Sequence, residues 1–153
     1  MTEKGKFIVR VYGIVINENN EVLISDEYEF STKMTKFPGG GLEFGEGIQD
    51  ALHREFDEEC KGQKIANLRH FYTTDFYQKA LFFENAQLIS VYFLADLIGP
   101  LRFKISDCAY DFEIDGNMQQ SFRWVKINAL EEDEITFPID KFVVRKLKET
   151  FNV

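Results

Sequence analysis

The sequence predicts an α/β protein in which a mixed β-sheet is sandwiched between helices. Two β-branched segments open the chain, a helical segment follows, and further strands precede a second helix near residue 150. Strands and helices in this order bury their apolar faces when helices cover a sheet. The length of 153 residues suits one domain over 1–153 with a substantial core.

The first strands are predicted from runs of β-branched and aromatic residues. Lys6–Ile16 is apolar at almost every position, which is typical of a central strand buried on both faces. Asn17–Asn20 has the composition of a hairpin turn, and Glu21–Asp26 returns as the second strand. Tyr28–Thr35 is predicted to be a loop that leads to a short strand over Met34–Phe37.

Both helices are predicted from apolar residues at helical spacing. The glycine-rich turn Pro38–Gly41 precedes a helix over Gly47–Cys60, and a second amphipathic helix covers Ile139–Phe151. The face of the first helix that packs on the sheet is predicted to carry Ile48, Ala51, Leu52 and Phe56.

Further strands fill the space between the two helices. They are predicted over Leu68–Tyr77, Gln87–Leu97, Leu101–Ile105 and Gln120–Ile127. Gln78–Ala86 and the acidic segment Ser106–Asn117 are predicted loops, and Asn128–Glu131 is a predicted helical turn.

Composition excludes several classes of partner. The formal net charge of -8 opposes binding to nucleic acid backbones or anionic membranes. Cys60 and Cys108 lack zinc-site spacing, so we expect reduced thiols in a cytoplasmic protein. No apolar run reaches transmembrane length, and the first residues lack the apolar core of a signal peptide. We therefore expect neither a nucleic acid nor a membrane partner.

The helix after the glycine-rich turn carries a cluster of carboxylates. Glu55, Glu58 and Glu59 lie three and four residues apart and share one helix face. Carboxylates at this spacing repel one another and their pKa values rise unless a cation lies between them. Hard cations such as Mg²⁺ take oxygen ligands and complete their shell with water and substrate phosphates. The pattern therefore favours a divalent metal site that faces a phosphate-bearing ligand.

The same stretch resembles the Nudix box, whose pattern is Gly, five residues, Glu, seven residues, Arg-Glu-apolar-any-Glu-Glu, any residue, Gly and an apolar residue. The fitting positions are Gly40, Glu46, Arg54, Glu55, Phe56, Glu58 and Glu59. The chain departs from the pattern at Lys61, which stands in the Gly position, and at Gly62, which stands in the apolar one. A glycine displaced by one residue still suits the left-handed cap of a helix end.

The resemblance covers nearly the whole chain and implies an enzyme. It implies a Mg²⁺- or Mn²⁺-dependent hydrolase of a nucleoside diphosphate derivative, such as a nucleoside triphosphate, a nucleotide sugar or ADP-ribose. Water would attack a phosphorus of the pyrophosphate link. Glu46 and Arg54 are implied to form an ion pair that braces the loop and the helix. The implied metal ligands are Glu55, Glu58, Glu59 and the backbone carbonyl of Gly39.

The general base has several candidates. Glu55 is one, and a carboxylate of the acidic loop is another, with Glu113 or a near neighbour as the choice there. Relatives often carry Glu shortly before the strand that contains Trp-Val, but Met118-Gln119-Gln120 occupies this region here. Glutamine cannot accept a proton as a carboxylate does. The acidic loop supplies Asp107, Asp111, Glu113 and Asp115.

Two basic residues and one aromatic pair are candidates for contacts with substrate or partner. Arg10 lies in an apolar strand and Lys36 adjoins the glycine-rich turn, so each needs an anionic partner, either a protein carboxylate or a substrate phosphate. Phe82 and Phe83 adjoin in a predicted loop. They would stack on a nucleobase or form a homodimer contact, and we favour the homodimer contact.

Two other functions compete with the hydrolase. A non-catalytic Nudix-like module would bind a nucleotide and regulate another process, but such modules often lose carboxylates that this chain keeps. A prenyl diphosphate isomerase would need a catalytic cysteine and metal-binding histidines, and neither His53 nor His70 is suitably placed for that role.

Overall fold

The computed structural model describes residues 4–152, which form two β-sheets and two α-helices. The helices are α1 (Ile48–Glu59) and α2 (Pro138–Thr150), with short 3-10 turns over Ile127–Ala129 and Glu132–Glu134. The strands are β1 (Lys6–Val15), β2 (Glu21–Glu29), β3 (Thr32–Lys36), β4 (Gly39–Gly41), β5 (Lys64–Thr73), β6 (Ala86–Ile98) and β7 (Gln119–Lys126).

The larger sheet is mixed, and β1 lies inside it. Its order is β4-β1-β6-β5, with β1 parallel to β6 and the other neighbours antiparallel. The second sheet has the antiparallel order β3-β2-β7. The predicted α/β architecture is confirmed, and the strands that follow β1 are divided between the two sheets.

Side chains on both faces of the second half of β1 are buried, which explains why the strand is apolar from Val11 to Val15. Tyr12 and Ile14 pack in a cluster with Val143 and Leu147 of α2. Val11 and Val15 pack on the opposite side, in a cluster that contains Ala51, Leu52 and Phe56 of α1. Ile48, which we placed on the same face of α1, is instead 38% exposed at the start of the helix.

The predicted loop Tyr28–Thr35 is wrong, because the segment forms a tight hairpin. Strand β2 continues to Glu29, β3 begins at Thr32, and only Phe30 and Ser31 form the turn. Both turn residues have positive φ, 52° and 55°, as a type I′ hairpin turn requires. Asn and Gly are the usual residues there, so the composition did not reveal the turn.

Other boundaries also differ from those predicted. Strand β5 begins at Lys64 and ends at Thr73, which is earlier than predicted at both ends. The predicted strand Leu101–Ile105 is reduced to a single bridge between Ile105 and Phe122. Neither α1 nor α2, the α-helices of residues 4–152, has the length and apolar character needed to cross a membrane.

The end of α1 explains the departure from the family pattern. The Gly62 amide donates to the Asp57 carbonyl at 2.8 Å, which closes the last turn, and Lys61 takes the left-handed position with φ 51°. Gly62 also has positive φ, 79°. The glycine is thus displaced from the cap position, and a lysine carries the strained conformation there.

Candidate active site

The glycine-rich turn and β4 place the outer backbone edge of the larger sheet, formed by Gly39–Gly41, close to α1. Val11 of β1 pairs with Gly40, so the carbonyls of Gly39 and Gly41 face away from β1. The Gly41 carbonyl accepts a hydrogen bond from Arg54 of α1 at 2.9 Å. Gly39 has φ 146°, and a Cβ there would lie 2.8 Å from the Tyr12 Cα. Only glycine allows β4 to approach β1 so closely.

The carboxylates of α1 lie beside this edge. The Glu55 side chain is only 12% exposed, whereas that of Glu58 is 58% exposed. A Cβ on Gly40 would lie 2.5 Å from the Glu55 carboxyl group. The missing side chain of Gly40 therefore makes the space that Glu55 occupies.

Arg54 connects the loop to the helix, as the resemblance to the Nudix box implies. Its guanidinium donates to both Glu46 oxygens, from Nε at 3.0 Å and from Nη2 at 2.7 Å. This bond from Arg54, aided by the Glu43 amide, lowers the pKa of Glu46 to about 2. Nη1 also donates to Glu55 at 3.0 Å and to Glu58 at 3.4 Å. One arginine thus fixes the loop and contacts two of the three carboxylates that are implied metal ligands.

Glu59 lies deeper than Glu58 and is poorly compensated as an anion. Burial raises its pKa to about 8, partly offset by Lys36, and the nearby charges of Glu27 and Glu55 raise it further. Gln120 of β7 lies 3.5 Å from its Oε2. A divalent cation would compensate this carboxylate better than one amide does.

The residues present fit a hard divalent cation. The three carboxylates offer only oxygen donors, the Gly39 carbonyl faces the same edge, and Glu59 lacks a full counter-charge. As they stand, no three His, Cys, Asp or Glu side chains in residues 4–152 converge on one metal position. Glu55 and Glu58 instead share Arg54 Nη1 as a hydrogen-bond donor, and Glu59 accepts from Gln120.

A cavity of about 360 Å³ opens next to these groups. Glu55, Glu59 and Gly39–Gly41 line one end of it, together with Arg10 and Lys36. The other end is largely apolar and includes Phe30, Phe82, Phe137 and Met118. The cavity therefore has a charged end and an apolar end, as a ligand with a charged group and an uncharged group requires.

Arg10 and Lys36 both face the cavity but differ in their partners. Lys36 is buried and lies 3.2 Å from the Glu27 carboxylate. Burial alone would lower its pKa, yet Glu27 holds it above the ordinary value. Arg10 donates through Nε to the Tyr12 hydroxyl at 2.7 Å and forms no ion pair with any carboxylate of residues 4–152. Arg10 is therefore the better placed of the two to bind a substrate phosphate.

Two acidic residues of the cavity were missed by the sequence analysis. Glu27 accepts hydrogen bonds from Ser25 at 2.8 Å and Gln120 at 3.2 Å, besides its ion pair with Lys36. Asp140 of α2 is 1% exposed and accepts a hydrogen bond from the Tyr92 hydroxyl. Asp140 lies three residues before Val143, on the apolar face of α2. Helical periodicity could therefore have shown that this carboxylate is buried.

The acidic loop lies apart from the cavity. Glu113, Asp107 and Asp115 are exposed and do not line it. The backbone carbonyl of Glu113 accepts a hydrogen bond from the Gln119 side chain, and Asp111 pairs with Lys104 at 2.9 Å. The structure therefore does not bring Glu113 to the α1 carboxylates.

The sequence matches the family model of the NUDIX domain over residues 6–146. The chain therefore belongs to the Nudix hydrolase family, whose members are pyrophosphohydrolases that generally act with a divalent metal.

Solved structures of similar fold include several Nudix proteins. A NUDIX hydrolase from Nitrosomonas europaea is 16% identical, with a TM-score of 0.66 over 97% of this chain and 90% of that chain. A MutT NUDIX hydrolase from Burkholderia pseudomallei is 12% identical, with a TM-score of 0.69 over 92% and 97%. A MutT from Aliivibrio salmonicida or Vibrio cholerae is 23% identical, with a TM-score of 0.60 over 95% and 99%. At these sequence identities the structural similarity shows the fold alone. The search of curated proteins found no match to the sequence.

Proposed function

We propose that this protein is a Mg²⁺- or Mn²⁺-dependent hydrolase that cleaves the pyrophosphate link of a nucleoside diphosphate derivative. One observation carries the proposal. The cavity that holds Glu55, Glu59 and the Gly39–Gly41 edge also holds the guanidinium of Arg10, which forms no ion pair with a protein carboxylate in residues 4–152. Oxygen ligands for a cation and a free cationic side chain together suit a polyphosphate.

Each α1 carboxylate has a proposed role in this reaction. Glu55, Glu58 and Glu59 would hold the metal, with the Gly39 carbonyl as a further ligand. A divalent metal supplies charge neutralisation at phosphate oxygens and activation of water. Arg54 would keep Glu55 and Glu58 oriented, because its guanidinium is fixed at the other end by Glu46.

Arg10 would bind a phosphate oxygen with its two terminal nitrogens. Its Nε is held by the Tyr12 hydroxyl, which fixes the plane of the guanidinium and leaves the bidentate side for an anion. Lys36 would contribute positive charge at the same end while remaining paired with Glu27.

Glu55 is our candidate for the general base. It is the most buried of the three carboxylates, and it lines the cavity in which an attacking water would bind. Glu113 is exposed outside the cavity, so its part as a base would require the acidic loop to move.

The test is metal-dependent hydrolysis of a panel that contains nucleoside triphosphates, ADP-ribose, nucleotide sugars and dinucleoside polyphosphates. Wild type is compared with Glu58→Gln and with Glu18→Gln, a control at an exposed turn far from the cavity. We expect turnover of one substrate class that falls at least tenfold in Glu58→Gln and is unchanged in Glu18→Gln. Ligand binding without turnover of any member would replace the hydrolase with a nucleotide-binding module.

A further inference from the structure

The three carboxylates of α1 are held by two different side chains. Arg54 donates hydrogen bonds to the other two carboxylates, but none to Glu59. Within residues 4–152, the one hydrogen-bond donor to the Glu59 carboxylate is Gln120 of β7, whose Nε2 lies 3.5 Å from Oε2. The orientation of Glu59 therefore depends on whatever fixes the amide of Gln120.

The Gln120 amide is fixed by a carboxylate on the neighbouring strand. Glu27 of β2 and Gln120 are direct partners in the antiparallel pair of β2 and β7. The Gln120 Nε2 atom lies 3.2 Å from Glu27 Oε2 and 2.8 Å from the Ser25 hydroxyl oxygen. That hydroxyl in turn donates to Glu27 Oε2 at 2.8 Å. Because an amide nitrogen carries two hydrogens, one points to Ser25 and Glu27 while the other is left for Glu59.

The same oxygen of Glu27 also pairs with a cation of the cavity wall. Nζ of Lys36, on β3, lies 3.2 Å from Glu27 Oε2. Glu27 is only 3% exposed, so water competes little for these contacts, and a charged acceptor strengthens them. One buried oxygen atom therefore connects Lys36, at the cationic end of the cavity, with Gln120 and the α1 carboxylates.

Stability alone does not explain why this buried face of β2 is polar. Leu23 on the same face packs in the apolar cluster that contains residues of α1, and Ser25 and Glu27 follow it toward the cavity. Replacing a buried ion pair with apolar side chains of similar volume is often neutral or stabilising. The polar groups begin where β2 passes the end of α1 that carries Glu59, which points to a role in the site.

We propose that Glu27 is a positioning residue of the active site, which holds Gln120 against Glu59 and thereby fixes the orientation of this metal ligand. The inference rests on the proposed function for the role of Glu59. Glu46 has the same part for the other two carboxylates, since it fixes Arg54. In both cases a carboxylate that does not bind the metal fixes a donor that orients one that does.

The experiment measures the dissociation constant of Mn²⁺ for the full chain by paramagnetic resonance, with no substrate present. Glu27→Gln removes the charge, whereas Glu27→Asp keeps the charge and withdraws the carboxylate from Gln120 by one methylene. Glu29→Gln and Glu29→Asp are the matched controls. Glu29 also belongs to β2 and lines the same cavity, but it takes no part in the hydrogen bonds of Gln120.

We expect both Glu27 variants to bind Mn²⁺ about tenfold more weakly, and both Glu29 variants to stay within about twofold of wild type. The resonance line shape of bound Mn²⁺ should also change in the Glu27 variants, because Glu59 turns within the ligand shell. A role confined to stability would leave the affinity and the spectrum of the folded protein unchanged.

Two results would overturn the inference. One is wild-type Mn²⁺ affinity in both Glu27 variants, or equal losses at Glu27 and Glu29. The other is weak binding by Glu27→Gln with full affinity in Glu27→Asp, because the charge would then act from a distance and the position of the carboxylate would not matter.

The ion pair with Lys36 calls for a further variant, because Glu27→Gln leaves a buried lysine without its partner. The double variant Glu27→Gln/Lys36→Met removes both charges, and Lys36→Met alone is its control. Loss of a nearby cation favours binding of another cation, so Lys36→Met should bind Mn²⁺ at least as tightly as wild type. The double variant should bind about tenfold more weakly than Lys36→Met. Equal affinity of these two proteins would also overturn the inference.

Mn²⁺ affinity separates this inference from the proposed hydrolase activity, because it is measured without turnover. If wild type binds Mn²⁺ and hydrolyses no substrate, the hydrolase proposal fails, and the affinities of the variants still decide the role of Glu27. If wild type hydrolyses a substrate and the Glu27 variants bind Mn²⁺ normally, only the inference about Glu27 fails.

Discussion

Among single residues, Asp140 is a carboxylate buried at the expense of stability. Burial raises its pKa to about 6, although the Tyr92 hydroxyl and the charge of Lys36 act in the opposite direction. Its Oδ2 atom is buried and has no hydrogen-bond partner within residues 4–152. A residue kept in this state on an otherwise apolar helix face, in a cavity wall, indicates that function rather than stability selected it.

Replacing this carboxylate with an amide should stabilise the protein at neutral pH. The native state binds the Asp140 proton more tightly than the unfolded state does, so this group's contribution to stability is complete below pH 4. It is lost as pH rises from the ordinary pKa of 3.8 to about 6. The loss corresponds to at most about 3 kcal/mol.

Urea unfolding of Asp140→Asn and wild type across pH 4 to 8 checks this prediction. We expect the two free energies of unfolding to be similar near pH 4 and the variant to be more stable above pH 6.5. Asp133→Asn, at an exposed site, should follow wild type at every pH. A constant difference across the whole range would show that the effect is not the ionisation of Asp140.

A second residue-level prediction concerns the space that Gly40 provides. Gly40→Ala would place a Cβ 2.5 Å from the Glu55 carboxyl group and should weaken Mn²⁺ binding about tenfold by displacing this ligand. Gly41→Ala is the matched control, since its Cβ would meet only Arg10 Nη1 at an ordinary 3.8 Å. Paramagnetic resonance of free Mn²⁺ measures both affinities. Similar losses in the two variants would mean that general stiffening of the turn, not the contact with Glu55, matters.

At the scale of the element, the end of α1 carries avoidable strain. Lys61 holds φ 51° at the left-handed cap position, where a side chain with a Cβ is disfavoured by about 1 kcal/mol. Gly62, which the sequence offers as a displaced cap, follows one residue too late to relieve it.

Lys61→Gly should therefore raise the free energy of unfolding by about 0.5–1 kcal/mol. Lys61→Ala removes the same charge but keeps a Cβ, so it should leave stability nearly unchanged. Thermal and urea unfolding of the two variants separate the backbone effect from the charge effect. If alanine stabilises as much as glycine does, the relevant change is the loss of the lysine charge and not relief of strain.

At the scale of the whole molecule, local features of the site were predictable and long-range ones were not. The carboxylates of α1, the glycine-rich turn and the Glu46–Arg54 pair all lie within residues 38–59. Helical spacing placed the carboxylates on one face, and the resemblance to the Nudix box implied the Glu46–Arg54 pair. The Tyr92–Asp140 pair depends on how β6 and α2 pack. The Lys36–Glu27 pair is local, but it depends on the β2–β3 hairpin, which the sequence did not reveal. Periodicity gives the face of a strand or helix, but it does not give the partner across a cavity.

The division of the strands into two sheets was hidden for a similar reason. Pairing of β1 with β6 joins residues about eighty apart, and no sequence pattern specifies that partner. The hairpin at Phe30-Ser31 was hidden because its turn has neither glycine nor asparagine. Both features contribute to the lining of the cavity, so the sequence indicated the chemistry of the site better than its shape.

The acidity of the whole chain bears on how metal binding should be measured. A net charge of -8 attracts cations non-specifically, so any salt raises stability to some extent by reducing self-repulsion. A specific site adds a further term: a cation at a hundred times its dissociation constant stabilises by about 2.7 kcal/mol. For a chain of this length that corresponds to roughly 5–10 °C in Tm.

We therefore expect MnCl₂ or MgCl₂ to raise the Tm of wild type well beyond NaCl at matched ionic strength. In Glu58→Gln most of the additional rise in Tm caused by the divalent cation should disappear, because one metal ligand loses its charge. The net charge of the protein changes by only one, so non-specific cation binding should hardly change. Glu18→Gln changes the net charge equally, away from the cavity, and should keep the full excess. Calorimetric melts of the three proteins in each salt provide the measurement. Equal shifts in all three would place the divalent effect on the acidic surface in general and would remove the α1 carboxylates from consideration as the metal site.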